Sequence, residues 1–438
     1  MRFPGCLHTG TITPVTPRYA RADVGRLTGV ITNWAGNVTY SARGLHRPTT
    51  LDELRELVAR AERVRPLGTG HSFNRLADTP GELISPAALP ALMEIDSAGA
   101  RVRVSGGVRY GELARYLWTH GYALRNLASL PHISVAGAVS TGTHGSGVGN
   151  RSLSAEVTAV ELVTADGSLV ELSEGDDRFP GAVVALGALG VVSSLTLRVS
   201  PAYEVSQTVF EKLPGSQARA HFAEIMGSAY SVSLFTSWTG VDVDQVWVKS
   251  VGAPPTELFD AVRADGPRHP LPGGPAEWCT PQLGVPGPWH ERLPHFRLEF
   301  TPSHGDELQS EFFVPADRAV EALDALAAIR EQIAPVLLIS EIRAIAADDL
   351  WLSPCSGRDS VAFHFTWKPD AAAVQPVVAQ IEDRLAPYAA RPHWGKVYGT
   401  SPKRLAELYP RLGDFAALTR DLDPRGKFRN DHLDAVLG

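Results

Sequence analysis

The 438-residue chain has few cysteines and lacks the apolar runs that a membrane anchor needs. Its three cysteines, Cys6, Cys279 and Cys355, cannot form a disulfide framework and match no zinc-binding spacing. No apolar run is long enough to span a bilayer, and residues 1–28 lack the apolar core of a signal peptide. These absences favour a reducing compartment. We expect a cytoplasmic protein, with residues 1–28 as a poorly ordered extension.

Basic charge is also scarce. The 41 Lys and Arg residues stand against 48 Asp and Glu residues, which gives a net charge of -7 at pH 7. Nucleic-acid binding needs a basic surface that displaces counterions, so this balance argues against a nucleic-acid partner. The hydrophobic share of 44% and the charged share of 20% are typical of soluble globular proteins. The length favours two domains, and a small ligand is the better expectation.

Both common nucleotide-binding fingerprints are missing. The chain contains neither a G-x-x-x-x-G-K-[ST] P-loop nor a G-x-G-x-x-G motif after a strand. It has instead three glycine turns, at 68–72, 140–150 and 187–190. Glycine tolerates positive φ and lets backbone N–H groups converge on an anion. Each turn alone is equally well explained as a simple turn, but the three together favour a dinucleotide held outside a Rossmann fold.

Helix and strand signals alternate in the first half of the chain. A capping box at Thr50 predicts a helix over 51–63, which leads into the strand before the first glycine turn. A second amphipathic helix is predicted over 109–120. Two alternating runs joined by an Asp-Gly pair predict a β-hairpin over 159–172.

The composition changes after residue 201. The following part contains two helical stretches, near 316–332 and 372–385, and a Pro/Gly-rich insert at 266–294. Its aromatic-rich strands are predicted at 230–238, 295–300, 310–315 and 360–367. This pattern predicts a second α+β domain on an antiparallel sheet. We predict an extension at 1–28, a first domain at 29–202 and a second domain at 203–394. A C-terminal segment at 395–438 is predicted to pack back on the first domain.

Two histidines lie beside glycines in the first half. His71 follows the first glycine turn, and His144 lies in the second. The segment 126–145 carries almost no charge, and its hydroxyls suit it to packing against a flat, largely apolar ring system. A lone loop histidine is more often structural than reactive. No metal site is expected, because no His pair has i, i+4 spacing on a helix and no Cys lies nearby.

Two later segments read as strands with one polar and one apolar side. Glu341 and Arg343 alternate with apolar neighbours, and so do His364 and Thr366. The pattern alone fits a sheet with one face in water. The alternative is a binding pocket, because these side chains offer the donors and acceptors that a polyol requires.

Seven motifs together carry a family resemblance. They are NWAGNVTYSA (33–42), PLGTGHSFN (66–74), NLASLPHISVAGAVSTGTHGSG (126–147), SEIRAIAADDLWLSP (340–354), HFTW (364–367), RPHWGK (391–396) and LDPRGKFRN (422–430). With these seven motifs in this order, the sequence resembles the alditol oxidases. These are xylitol and sorbitol oxidases of the vanillyl-alcohol oxidase type of flavoprotein. The match extends over about 29–438.

The resemblance implies a two-domain α+β fold, with an FAD-binding domain and a substrate (cap) domain that contains an antiparallel sheet. It implies FAD attached covalently through His71. The implied FAD contacts are Pro66, Leu67, Gly68, Thr69, Gly70, His71, Ser72, Ser129, Ser134, Gly137, Thr141, Gly142, Thr143, His144, Val192 and His393. The implied substrate-binding residues are Ser129, Glu341, Arg343, His364, Thr366 and Lys396.

The implied reaction is oxidation of the terminal primary alcohol of an alditol to an aldose, with reduction of O2 to H2O2. Among the implied catalytic residues, Arg343 and Lys396 would hold the reacting oxygen, while Glu341 and His364 would orient the neighbouring hydroxyls. His364 is our choice of proton acceptor because its unperturbed pKa is nearest neutrality. The expected partners are a small polyol and O2, and the expected state is a monomer.

Two alternatives remain open at this point. A sugar-lactone oxidase or dehydrogenase of the same flavoprotein family would share the FAD loops. A non-catalytic carbohydrate- or nucleotide-binding protein would share only the glycine turns, and it would be colourless when purified.

Overall fold

The computed structural model describes residues 25–27, 29–300 and 305–437. The expected extension at 1–28 therefore lies outside the described residues, except for a short strand at Gly25–Leu27. That strand pairs antiparallel with Gly44–Arg47, so this part of the expected extension belongs to a sheet.

Three small sheets and short helices make up the first part of the chain. Its elements are β1 Gly25–Leu27, β2 Gly44–Arg47, α1 Leu51–Arg60, β3 Val64–Pro66, β4 Glu82–Ile84, β5 Met93–Asp96, β6 Arg101–Ser105, α2 Tyr110–Thr119, β7 Tyr122–Ala123, α3 Val135–Ser140, β8 Val157–Val163, β9 Leu169–Ser173, α4 Phe179–Val183, β10 Val191–Arg198 and β11 Ser200–Pro201. One sheet has the order β1-β2-β4-β3, with β4 parallel to both β2 and β3. The second has the antiparallel order β5-β6-β10-β8-β9, and the third is the antiparallel pair β11-β7.

The local sequence signals explain these elements. The Thr50 hydroxyl accepts the backbone N–H of Glu53 at 3.1 Å, which starts α1 as predicted. The helix ends at Arg60, before the predicted residue 63. The turn between β8 and β9 has Gly167 at φ +84°, and the Asp166 carboxylate accepts a hydrogen bond from the backbone N–H of Ser168. The predicted hairpin is confirmed.

A large antiparallel sheet dominates the second part of the chain. Its elements are β12 Glu204–Leu213, α5 Gly215–Ala220, α6 Phe222–Met226, β13 Ser231–Thr236, β14 Val243–Ser250, β15 Val262–Arg263, β16 Gly287–Pro288, β17 Leu308–Pro315, α7 Ala319–Ala327, α8 Arg330–Ile333, β18 Leu337–Ile345, β19 Ser360–Trp367, α9 Ala371–Leu385 and β20 Arg391–Pro392. The order is β15-β12-β14-β13-β18-β19-β17-β20, and β16 pairs with β12. The predicted α+β class is confirmed.

The large sheet has two different faces. Phe312, Ile342 and Phe363 are neighbours on adjacent strands, and they pack with α7 and α9 in one apolar cluster. Since side chains alternate along a strand, the residues between them point to the other face. That second face carries the polar residues described below.

Two predicted elements differ in the structure. The segment 295–300 was predicted as a strand but is irregular in the structure. The backbone N–H groups of His295 and Phe296 donate to the Ser129 carbonyl, and the backbone N–H of Arg297 donates to the Trp278 carbonyl. Contacts with other loops thus replace a neighbouring strand. The helical stretch 316–332 is a short turn followed by the separate helices α7 and α8.

The end of the chain packs on the first part. Helices α10 Pro402–Leu408, α11 Leu412–Leu422 and α12 Asp431–Leu437 place side chains in the same buried cluster as β6, β8 and β10. Between them, the Lys427 ammonium donates to the carbonyls of Val58, Ala59 and Ala165. Trp289, Leu350 and Trp394 also belong to this cluster, although they precede residue 395. The domain boundaries at 202 and 394 remain our proposal.

The described helices give no sign of a membrane segment, because none of them is both long and apolar enough to cross a bilayer.

Phe428 offers a test of the C-terminal contact. It is fully buried against α1, β8 and β10. We expect Phe428→Ala to lower the free energy of unfolding by about 3–5 kcal/mol, because the cavity removes apolar contacts in all three elements. Phe300→Ala, at a phenylalanine that is 36% exposed, is the matched control with an expected cost below about 1 kcal/mol. Denaturant titration measures both, and equal costs would contradict the packing.

Candidate active site

A cavity of about 410 Å³ lies between the glycine turns and the polar face of the large sheet. Most residues with an implied FAD contact line it, namely Pro66, Leu67, Gly68, Thr69, Gly70, His71, Ser72, Ser129, Gly137, Thr141, Thr143, His144, Val192 and His393. So do the implied substrate residues Ser129, Glu341, Arg343, His364, Thr366 and Lys396. Ser134 and Gly142 lie outside its walls. Two sets of residues that are distant in sequence thus share one cavity.

The His71 loop follows β3. Gly70 has φ +71°, a conformation that suits glycine and turns the chain back toward the cavity. The His71 ring stacks on Trp34 with 4.8 Å between ring centroids and 19° between planes. Its Nδ1 lies 3.1 Å from the Thr69 carbonyl oxygen. Burial lowers the pKa of His71 to about 4, so the ring is neutral at pH 7 and keeps one nitrogen lone pair.

The first glycine turn packs closely against Ser134 and Gly137, at the start of α3. A Cβ atom added to Gly68 would lie 2.6 Å from Oγ of Ser134, and one added to Gly137 would lie 2.8 Å from the same atom. This buried Ser134 hydroxyl has no hydrogen-bond partner among the described residues. Backbone without side chains next to an unpartnered hydroxyl fits a bound group that approaches the main chain and supplies an acceptor. The residues present therefore fit a dinucleotide.

The polar residues of the sheet are direct neighbours. Glu341 on β18 pairs with His364 on β19, and His364 pairs with Glu311 on β17. Residues opposite each other on adjacent strands lie on the same face. All three are at least nine-tenths buried, so the interpretation of a face in water is wrong. The first part of the chain, the insert at 266–294 and the two residues after it cover this face.

Glu311 is the centre of an ion cluster that the sequence analysis missed. Its Oε1 accepts a 2.6 Å hydrogen bond from Arg343 Nη2 and lies 3.1 Å from Nε2 of His144. Its Oε2 lies 2.9 Å from Nζ of Lys396. Burial would raise the pKa of Glu311, but the charges of Lys396 and Arg343 hold it well below its usual range. Glu311 is therefore ionised and fixes both cations at the cavity wall.

Glu341 forms a second link in the cluster. Its Oε2 lies 3.6 Å from Arg343 Nε, and its Oε1 lies 2.7 Å from Nε2 of His295. Burial opposes ionisation of Glu341, but Arg343 and His295 keep its pKa below the ordinary value. His295 directly follows the insert and is the first residue of the segment that was predicted as a strand, so the sequence pattern concealed its role.

His364 has a different environment from the one we expected. Its Nε2 lies 3.1 Å from the amide oxygen of Gln309. Burial and the nearby Lys396 charge lower the pKa of His364 well below its ordinary value. We had chosen His364 as proton acceptor because the unperturbed pKa of histidine is near neutrality. The lowered pKa in this environment removes that reason.

Other residues of the cavity also went unpredicted. Arg65 is buried, and its guanidinium donates to the carbonyls of Leu76, Leu186, Gly187 and Phe428. The sequence offered one indication of Arg65, namely a charged residue inside a short apolar strand. Glu311, which lies between Ser310 and Phe312, offered the same indication. Neither signal indicates the partner. Within the described ranges, no group of His, Cys, Asp and Glu is arranged to hold a metal ion.

Glu311 gives a pH-dependent prediction. A carboxyl whose pKa is lower in the folded than in the unfolded chain stabilises the fold above its ordinary pKa, near 4.5. This stabilisation is lost as the pH falls through the folded value. Glu311→Gln should therefore lower the free energy of unfolding by roughly 3–5 kcal/mol at pH 7, where it leaves buried cations unpaired, and by less at pH 3.

Denaturant titrations of wild type and variant at both pH values measure this difference. Glu407→Gln, which removes the charge of an exposed carboxylate on α10, should change stability by about 0.5 kcal/mol or less at either pH. A Glu311→Gln effect of the same size at pH 3 as at pH 7 would contradict the assignment.

Comparisons with known proteins agree with this architecture. The FAD binding domain family matches residues 42–173, and the D-arabinono-1,4-lactone oxidase family matches residues 306–436. A Streptomyces alditol oxidase is 54% identical over 411 residues, which cover 93% of this chain and 99% of that protein. An L-gulono-1,4-lactone dehydrogenase of Mycobacterium tuberculosis is 30% identical over 432 residues, with 93% and 98% covered.

Solved structures share the fold. Cholesterol oxidase from B. sterolicum matches with a TM-score of 0.77 at 15% identity, covering 97% of this chain and 99% of that one. A solvent-stable cholesterol oxidase matches with the same TM-score at 17% identity, covering 97% and 100%. At this identity the likeness concerns the fold alone, and the sequence relatives define the family. The chain belongs to the alditol oxidase family of FAD-linked oxidases of the vanillyl-alcohol oxidase type.

Proposed function

We propose that this protein oxidises the terminal primary alcohol of an alditol, such as xylitol or sorbitol, to the corresponding aldose. The observation that carries the proposal is the buried polar face of the large sheet, where charged and hydrogen-bonding side chains line a cavity beside the glycine turns. A polyol hydroxyl both donates and accepts, so it needs such mixed surroundings. The 54% identity with a Streptomyces alditol oxidase supports this substrate class.

FAD is the proposed oxidant. The FAD binding domain match at 42–173, the close approach of Gly68 and Gly137 and the unpartnered Ser134 hydroxyl support binding at the glycine turns. When bound, FAD supplies an electron-poor ring that accepts a hydride from the alcohol carbon. The residues that would hold it are the implied FAD contacts named above.

The His71 side chain is the proposed covalent attachment point. Its ring is neutral because burial lowers its pKa to about 4. A neutral imidazole keeps a lone pair, which is the requirement for a nucleophile. Stacking on Trp34 holds the plane of the ring within the cavity wall.

Arg343 and Lys396 would act on the reacting oxygen. Hydride loss from an alcohol carbon is easier when its oxygen carries negative charge, and fixed cations stabilise that charge in a site without water. Glu311 contacts both cations from one side, so their positions are set before substrate enters. The hydroxyl of Ser129, 3.5 Å from Arg343 Nη1, would contact the same oxygen.

Glu341, His364 and Thr366 would orient the other hydroxyls of the chain. The Glu341 carboxylate is ionised and accepts hydrogen bonds. A simple alcohol would leave these buried groups unpaired, which is costly, so a polyol gains more from the same cavity. Arg343 Nε, buried without a hydrogen-bond partner among the described residues, illustrates this unmet demand.

O2 is the proposed electron acceptor and leaves as H2O2. A lactone oxidase or dehydrogenase is the second candidate, favoured by the D-arabinono-1,4-lactone oxidase match at 306–436 and by the 30% identical L-gulono-1,4-lactone dehydrogenase. The higher identity to the alditol oxidase favours the first. We also propose a monomer and a cytoplasmic location, and the buried free thiols of Cys279 and Cys355 support the location.

A substrate panel tests the function. Purified protein supplied with FAD is assayed with xylitol, sorbitol, L-gulono-1,4-lactone and D-arabinono-1,4-lactone. Peroxide release is measured with a peroxidase-coupled assay, and dye reduction is followed without oxygen. We expect peroxide from the alditols, with kcat/KM at least about tenfold above that of either lactone, because a lactone has fewer hydroxyls to pair. Preference for a lactone, or dye reduction without peroxide, would contradict the proposal.

The tether is tested by the colour of denatured protein. Acid-precipitated wild type should be yellow because the bond survives unfolding, and His71→Ala should give a colourless pellet. His120→Ala, at an exposed histidine, is the control and should stay yellow. A yellow His71→Ala pellet would exclude this attachment point.

A further inference from the structure

A buried ammonium group lies behind Glu341, outside the cavity walls. Lys249 on β14 is 1% exposed. Its Nζ donates to the carbonyl of Leu293 and lies 3.1 Å from Nδ1 of His295. Within the described part of the chain, no carboxylate lies at ion-pair distance from this nitrogen. A buried charge without an ionic partner is costly, and the cavity itself does not use it.

The contact with Lys249 determines which nitrogen of His295 carries the proton. Below the pKa of about 7 that burial gives it, Lys249 is an ammonium group with donors but no acceptor, so Nδ1 of His295 must accept. Burial lowers the pKa of His295 to about 4, and a neutral imidazole has a single N–H. The proton therefore lies on Nε2, which is 2.7 Å from Oε1 of Glu341 and donates to it.

This arrangement has a consequence for Glu341. Its Oε1 is occupied by the His295 N–H, and its Oε2 lies on the side of Arg343, 3.6 Å from Nε. The other tautomer of His295 would place a lone pair against Oε1, which would repel the carboxylate. The chain Lys249–His295–Glu341 thus runs from a cation outside the cavity to an acceptor on its wall.

We propose that Lys249 and His295 are positioning residues that fix Glu341 in one orientation as an acceptor for a substrate hydroxyl, which rests on the proposed function. Lys249 acts only through the tautomer of His295. His295 acts through its hydrogen bond to Glu341. Neither residue exchanges protons or electrons with the substrate.

The tautomer of His295 is the first measurement. Holoenzyme labelled with 15N-histidine is studied by NMR at pH 6, below the pKa of about 7 that burial gives Lys249. The His295 signals are assigned as those missing in His295→Gln. We expect the Nε2–H tautomer in wild type and a mixture of tautomers in Lys249→Met, whose side chain has similar length but no charge. The Nδ1–H tautomer in wild type would overturn the proposal even if Lys249→Met does not fold.

Kinetics give the second measurement. Lys249→Met and His295→Leu should lower kcat/KM for xylitol by about 10- to 100-fold, the effect of one hydrogen bond to a charged group. His295→Gln retains an N–H near the position of Nε2, so it should stay within about fivefold of wild type. All variants should keep the flavin content of wild type. Equal activity of His295→Leu and wild type would overturn the proposal, and so would failure of Gln to perform better than Leu.

The two measurements separate this inference from the proposed function. The tautomer is read without substrate, so it stands if xylitol is not the substrate. The kinetic comparison then uses whichever alditol or lactone the wild type oxidises.

Discussion

One buried carboxylate holds the site together. Glu311 contacts Arg343, Lys396 and His144, which belong to β18, to the loop after β20 and to the second glycine turn. Without an anion between them, Arg343 and Lys396 would repel each other, and the cost of removing both charges from water would not be offset. Because the three partners come from three separate segments, the same ion pairs that neutralise the cations also fix the sheet against the glycine turns. The geometry of the cavity wall and the contact between the sheet and the glycine turns therefore depend on the same group.

The large sheet makes this arrangement possible. Strand alternation divides it into an apolar face, which packs on α7 and α9, and a polar face, which lies under the cavity. Charged residues on a face without cover would be solvated and mobile. Here the insert at 266–294, the residues directly after it and the first part of the chain bury these groups, so short, directed contacts replace hydration. Desolvation is then the common cause of the lowered pKa values of His71, His295 and His364.

Local sequence signals predicted most of the elements and the two polar strands that line the cavity. The glycine turns and the alternation around Glu341 are visible within a few residues, so the loops and the polar strands could be predicted. The role of Glu311 could not be predicted, because a glutamate between serine and phenylalanine fits an ordinary strand. Its partner His144 is 167 residues away from it in the sequence. The segment 295–300 alternates like a strand, but its backbone bonds to Ser129 and its histidine reaches Glu341. Long-range contacts of this kind leave no mark on local periodicity.

The contact between the C-terminal helices and the first part of the chain has a consequence for biosynthesis. The first part is made before the large sheet, yet Arg65 and α1 gain the neighbours around Lys427 and Phe428 only later, since Phe428 follows Arg65 by 363 residues. On the ribosome, the glycine turns are therefore exposed on an incomplete core while the sheet is still being made. Chaperones have their longest opportunity to bind there, because the cavity wall is complete only once the large sheet and Lys396 have been made.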